Sequence, residues 1–219
     1  MTRPNPNEPP GLLHEDWGLV AYGDAWARQR AYVDARLREE RPDTFVTCEH
    51  PSVLTLGRGT DPANVKDRTL PIFEVERGGD VTWHGPGQLV GYMIRRLDEG
   101  RRDLRAHLRL MENIVIETLA EFGIAGERVE GKTGVWVKHG DARKKVCSLG
   151  IAARNWVTYH GFALNLDPDM SEFRRINPCG FDADVMASMR DFGVDTTRET
   201  WVETAARRAI ATIEAQRIG

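Results

Sequence analysis

Between residues 103 and 166 the hydrophobic period changes from about 3.6 residues to about 2, and that change restricts the fold class more than any other feature of the chain. Leu104, Leu108, Met111, Val115, Leu119 and Phe122 recur at helical spacing, with Asp103 placed to cap the start and Gly123 to end the helix. From 134 to 166 β-formers take over: Val135, Val137, the run Val146 to Ile151, then Val157 to Leu166. Turns are expected near His139-Gly140-Asp141 and Arg154-Asn155, so this region reads as a strand meander. A further helix is expected over 198–215, with Thr196 and Glu199 as a capping box and Trp201, Ala205, Ala209 and Ile213 as its buried stripe. Another is expected over 22–39, on Tyr22, Ala25, Trp26, Gln29, Tyr32, Val33 and Leu37. Phe45–Cys48 and Val53–Leu56 read as short strands, and residues 182–189 as a short helix. Helices set apart from a mixed, largely antiparallel sheet define an α+β protein.

The chain has 219 residues, which suits a single domain over 13–219. Four of its first ten residues are proline, so 1–12 reads as a disordered lead-in, and the absence of an apolar segment there argues against a signal peptide. No stretch is apolar enough to predict a membrane span. Lys and Arg total 30 against 33 Asp and Glu, a net charge of −3, which does not suit a general nucleic-acid binder. Hydrophobic residues make up 41%, enough for a sizeable core. The three cysteines, Cys48, Cys147 and Cys179, are too few for a disulfide framework and point to a reduced, cytoplasmic setting.

Gly57, Gly59, Gly78, Gly79, Gly85, Gly87 and Gly91 place seven glycines in 35 residues, where the chain average predicts about three. Within this region Arg77-Gly78-Gly79-Asp80-Val81-Thr82-Trp83-His84-Gly85-Pro86-Gly87-Gln88 is neither a dinucleotide fingerprint nor a P-loop. Paired glycines beside an arginine let backbone N–H groups face a ligand, and they equally suit a glycine-rich hairpin.

Two more segments carry chemistry. In Arg143-Lys144-Lys145-Val146-Cys147-Ser148-Leu149-Gly150, strand geometry sends Lys144 and Lys145 to opposite faces. One of the two must then point inward if the strand is covered on one side, and an inward lysine needs an anion or a neutral state; a solvated basic turn is the other reading. In Ile176-Asn177-Pro178-Cys179-Gly180 the cysteine sits on a turn, whereas Cys48 and Cys147 lie in apolar runs and read as core. Cys179 is therefore the candidate nucleophile, and Lys145 the candidate ammonium to favour its thiolate. His160-Gly161-Phe162-Ala163-Leu164-Asn165-Leu166 is a strand small enough to line a pocket.

These segments, together with Glu49-His50-Pro51-Ser52-Val53-Leu54-Thr55-Leu56-Gly57, resemble the lipoyl(octanoyl) transferase family in the family's own order from about residue 17 to about 190. Trp83 departs from the family's usual tyrosine, and Phe181 stands where an aliphatic residue is commoner. The resemblance implies the fold of biotin and lipoate protein ligase catalytic domains. It implies transfer of an octanoyl group from acyl carrier protein to a lysine of lipoyl domains, in 2-oxo acid dehydrogenase complexes and the glycine cleavage H protein, with no metal and no cofactor. It assigns Cys179 as the residue that takes the acyl chain as a thioester and Lys145 as its partner. Arg77, Gly78, Gly79, Asp80, Val81, Thr82, Trp83 and His84 fall in its first substrate-binding segment, Ser148, Leu149 and Gly150 in its second, and Gly161, Phe162 and Ala163 in its third. Amides near Gly78, Gly79 or Gly150 are the candidates for an oxyanion site, and His84 either carries protons or orders its loop.

Three other activities compete on sequence grounds. They are an ATP-dependent lipoate or biotin ligase of the same fold, a non-catalytic binder of acylated carrier proteins, and a cysteine hydrolase. Six arginines within fifteen residues, Arg95, Arg96, Arg101, Arg102, Arg105 and Arg109, are either a docking surface for acidic partners or a solvated helix entrance.

Overall fold

The chain runs β1 (Leu13–Leu19), α1 (Tyr22–Leu37), β2 (Thr44–Glu49), β3 (Val53–Leu56), β4 (Ile72–Glu74), β5 (Thr82–His84), β6 (Gln88–Arg96), α2 (Leu104–Glu121), β7 (Gly126–Val129), β8 (Lys132–His139), β9 (Ala142–Arg154), β10 (Val157–Asn165) and α3 (Arg198–Ile218). The computed structural model describes residues 11–177 and 183–218, so the lead-in up to residue 10 and the segment with Cys179 and Phe181 lie outside the described residues. Among the described residues no helix is long and apolar enough to cross a membrane.

Seven strands form the main sheet in the order β1-β2-β6-β10-β9-β8-β7. Only the β1–β2 pair is parallel. Side chains alternate between two cores, as a pleat dictates. Phe45, Leu89, Met93, Phe162 and Leu164 enter the core beneath α2 and α3, while Val46, Val90, Tyr92, Ile94 and Ala163 enter the core beneath α1. Because both faces are covered, the central strands read as near-continuous apolar runs. That is why Leu89 to Ile94 shows no alternation, and why a reading of 57–91 as glycine-rich backbone passes over β6. A smaller sheet, β4-β3-β5, lies apart from this one.

The expected helices and turns form with some adjustments. Asp103 caps α2 by accepting from the amides of Arg105 and Ala106, and Gly123 follows its end at φ +74°. The buried face of α2 includes His107, Met111, Ile114 and Thr118, while Leu104 in the first turn stays 37% exposed, outside the expected stripe. At α3 the cap is Thr197, whose hydroxyl accepts the Thr200 amide at 3.3 Å. The expected Thr196–Glu199 box is displaced by one residue, because Thr197 immediately precedes the first helical residue. The β9–β10 turn places Asn155 and Trp156 at φ +48° and +65°, the left-handed pair that a two-residue hairpin requires.

Two expectations are corrected. Leu12, assigned to the lead-in, is buried in the main core, because an apolar side chain next to β1 is drawn out of water there. Residues 183–189 form no α-helix. Only a 3-10 turn forms at Ala183–Val185, and the following amides bond to the sheet: Ala187 N–H to Lys145 O at 3.0 Å and Met189 N–H to Asn165 O at 2.9 Å. Donors spent on the sheet cannot close helical turns.

Candidate active site

A cavity of about 550 Å³ opens where the glycine-rich loop, β9 and β10 converge. Its wall contains Arg77 to Thr82, His84, Lys145, Ser148 to Ile151 and His160 to Ala163, with Tyr22, Tyr92, Leu108 and Trp136 closing the sides. The three segments separated in sequence thus meet around one space. Trp83 alone among the expected binding residues turns elsewhere. Residues on β5 alternate, so Thr82 and His84 face the cavity while Trp83 packs on Phe173 with ring centroids 5.2 Å apart.

The loop is held open by its own arginine. Arg77 donates to Thr55 O (2.8 Å), Thr55 Oγ1 (2.9 Å), Gly78 O (3.1 Å) and Asp80 O (2.8 Å). A planar fork of five donors suits four acceptors in this arrangement, and an ammonium would not. The side chain is therefore a clamp on the loop. Gly78 donates its amide to Ile151 O at 3.0 Å, joining the loop to β9. Of the two loop glycines, that leaves Gly79, at φ +85°, as the amide available to a ligand. Gly57 is required by close approach, since a Cβ there would stand 2.3 Å from Gly79 O.

Beneath the loop lies a layer of buried aromatic and imidazole rings. His84 stacks on Tyr22 with centroids 5.9 Å apart and bonds through Nδ1 to Gln88 Oε1 at 3.3 Å. Burial holds His84 well below the ordinary histidine value, reinforced by His50 and Arg77. The Gln88 bond and the Tyr22 stack fix the His84 ring in place, an arrangement that orders the loop it belongs to. The Tyr92 hydroxyl donates to His50 Nε2 at 2.6 Å, and His50 Nδ1–H donates to Val20 O at 2.7 Å. Burial lowers His50 to about 4, and burial followed by the Arg77 charge lowers His160 to about 4. His160 occupies a left-handed conformation at φ +61° in mid-strand, where its amide donates to Gln29 Oε1 at 2.9 Å. The His50, Tyr92 and Tyr22 contacts carry no sequence signal, because the three residues lie on separate elements.

Lys145 is the inward lysine that strand geometry requires. It is 3% exposed, and its Nζ lies 5.9 Å from the Trp136 ring centroid. Lys144 instead reaches out to the Asp184 carbonyl. Lys132 stands over the same indole at 5.2 Å, so two ammonium groups meet one aromatic ring. Cys48 and Cys147 are buried free thiols, each pushed up by burial, and neither reacts readily in that state. Cys179 is outside the described residues. The described chain reaches Asn177, whose amide donates to Asn64 O at 2.8 Å, and resumes at Ala183, shortly before Met186 bridges Lys145.

Among the described residues no cluster of three or more His, Cys, Asp or Glu side chains is arranged to hold a metal ion.

Residues 21–210 match the lipoyl protein ligase A/B catalytic domain. An octanoyltransferase from Gloeobacter violaceus is 49% identical over 166 residues, covering 74% of this chain and 73% of its own length. Another, from Pelobacter propionicus, is 42% identical over 178 residues, covering 81% and 83%. Among solved structures, a bipartite lipoate protein ligase from Thermoplasma acidophilum, described with its E2 lipoyl domain, superposes with a TM-score of 0.70 at 18% identity, covering 93% of this chain and 83% of that one. At that identity the likeness concerns the fold, and it agrees with the α+β architecture.

Proposed function

The chain belongs to the lipoyl protein ligase A/B catalytic domain family, and from that premise we propose that it transfers an octanoyl group from octanoyl-acyl carrier protein to a lysine of lipoyl domains, through a thioester on Cys179. It is an acyltransferase, as its octanoyltransferase relatives are. The observation that carries the reading is the convergence of the glycine loop, the Ser148–Gly150 strand and the Gly161–Ala163 strand on one cavity with Lys145 in its wall.

The chemistry follows from those groups. The Cys179 thiolate attacks the donor thioester carbonyl. A carbon–sulfur bond to Cys179 forms, the donor's carbon–sulfur bond breaks, and the departing pantetheine thiolate takes a proton from the Lys145 ammonium. The uncharged amine of the acceptor lysine then attacks the acyl-enzyme. A carbon–nitrogen bond forms, Cys179 leaves as thiolate, and the surplus proton of the new amide returns to Lys145. Both steps exchange an already activated acyl group, so no nucleotide is consumed. The amide of Gly79 is the oxyanion donor in this scheme, since that of Gly78 is engaged by Ile151. Arg77 keeps the loop in shape for that contact.

The acceptors in this reading are lipoyl domains of 2-oxo acid dehydrogenase complexes and the glycine cleavage H protein, all in the cytoplasm. Arg101, Arg102 and Arg105 are exposed around the start of α2, beside the exposed Trp156, over whose ring Arg102 lies at 5.7 Å. We assign these three to docking of acidic partners. Arg95 is excluded from that surface, being buried and bonded to Gln216 at 2.9 Å.

Incubation with octanoyl-acyl carrier protein should add one octanoyl mass to the intact protein, and Cys179→Ser should abolish both adduct and transfer. Absence of an adduct on the wild type overturns the mechanism. Product formed from ATP and free octanoate without acyl carrier protein would show the ligase activity instead.

A further inference from the structure

Glu112 lies on α2, outside the cavity wall, yet it holds the backbone amide of a glycine that packs against Lys145. Its side chain is buried, with 5% of the residue exposed. Oε1 accepts the Gly134 amide at 3.1 Å, and Oε2 accepts from Arg128 Nε at 2.8 Å. Arg128 is fixed in turn by the Arg109 carbonyl at 2.8 Å. Both carboxylate oxygens therefore have defined partners.

Gly134 is the reason this matters. It adopts φ +124°, which L side chains rarely enter, and a Cβ there would lie 2.7 Å from Lys145 Cε and 2.6 Å from Cys147 O. The β8–β9 register shifts at the next residues, where Val135 faces Cys147 but Trp136 faces Lys145. A register shift of this kind re-aims a side chain. The backbone at Gly134 and the indole of Trp136 thus form the seat of the Lys145 side chain, and α2 reaches that seat through Glu112.

We propose that Glu112 is a positioning residue for acyl transfer, which holds the Gly134 backbone so that Lys145 Nζ is presented to the cavity. The inference rests on the proposed role of Lys145. What Glu112 contributes is the reach of Oε1 to one amide; its charge is answered by Arg128.

Two substitutions separate reach from charge. Glu112→Gln keeps an oxygen at the same distance for the Gly134 amide and removes the charge; its NH2 replaces the oxygen that Arg128 bonds, and the 37%-exposed Arg128 side chain turns to solvent. Glu112→Asp keeps the charge and withdraws the oxygen by one methylene. Measured with octanoyl-acyl carrier protein and a lipoyl domain, Glu112→Asp should lower kcat by about tenfold or more with KM for the donor within about twofold, since small displacements of reacting groups cost up to about a hundredfold. Glu112→Gln should stay within about threefold of wild type. Hydrogen exchange at the Gly134 amide should quicken in Glu112→Asp and not in Glu112→Gln. The opposite order of the two variants, or equal activity in both, overturns the inference. Lys145→Ala is assayed alongside: retained transfer there refutes the role of Lys145, whereas lost transfer with a reversed Gln and Asp order refutes Glu112 alone.

Discussion

Ala187 donates its amide to the carbonyl of Lys145 across 3.0 Å, so the chain that follows Cys179 is bound to the strand that carries the buried lysine. Asn165 secures the same place. Its Nδ2 donates to Ala187 O at 3.0 Å, its Oδ1 accepts from Gln88 Nε2 at 2.9 Å, and it is 1% exposed. Asn165→Ala should therefore cost about 2–3 kcal/mol, because it leaves buried partners unsatisfied. Transfer activity should fall with it, as the segment at Lys145 loosens. Denaturant midpoints together with turnover test this, and unchanged values for both would contradict the assigned contacts.

Gly161 and Gly91 set how closely β10 approaches β6. A Cβ at Gly161 would stand 2.0 Å from Gly91 O and 2.9 Å from Met111 Cε. Backbone oxygen cannot move aside as a flexible side chain can. Gly161→Ala should destabilise by about 3 kcal/mol or more through overpacking, visible as a lowered melting temperature. A melting temperature at the wild-type value would show that the strands separate at little cost.

Acid sensitivity should come from buried histidines. His107 is 3% exposed with neither ring nitrogen bonded among the described residues, and burial, followed by the Arg95 charge, lowers it to about 3. The unfolded chain protonates such a group near pH 6.5 while the folded chain does not. Stability is therefore full above that value and is lost as pH falls toward 3, with a slope of up to about 1.4 kcal/mol per pH unit for each such histidine. His107→Leu should remove one proton's share of that slope and raise stability at pH 5, as read from urea unfolding at pH 7 and pH 5. An unaltered slope would count against the burial of a neutral imidazole.

Acyl length should respond to the side chains that face the cavity. Leu108 lines it and Trp83 does not. Leu108→Phe should lower kcat/KM for octanoyl relative to hexanoyl donors by about tenfold, the order expected when a pocket loses room for about one methylene. Trp83→Phe should leave that ratio unchanged. A ratio shifted by Trp83→Phe and not by Leu108→Phe would reverse the assignment.

Charge reversal at Arg101 and Arg102 should raise KM for acyl carrier protein several-fold at low salt, with kcat nearly constant and the difference shrinking at high salt. Equal KM values across the salt series would remove these residues from the docking surface.

The local order of the chain was legible in the sequence. Helical and two-residue periods depend on which side chains are apolar, so α2, the β8–β10 meander and the buried stripe of α3 could be read directly. Strand alternation required only that one of Lys144 and Lys145 face inward, and the tertiary structure made it Lys145; the core character of Cys48 and Cys147 followed from their apolar surroundings. The tertiary structure decided what periodicity does not encode. It turned Arg77 into a clamp by surrounding it with four carbonyl and hydroxyl acceptors, and it turned Trp83 away from the cavity by the pleat of a three-residue strand. It also linked Glu112 to Lys145 through Gly134, and laid residues 186–189 along the sheet where a helix was expected. Such relationships join elements far apart in sequence, and their energy comes from burial and hydrogen bonding that exist only once the elements have packed.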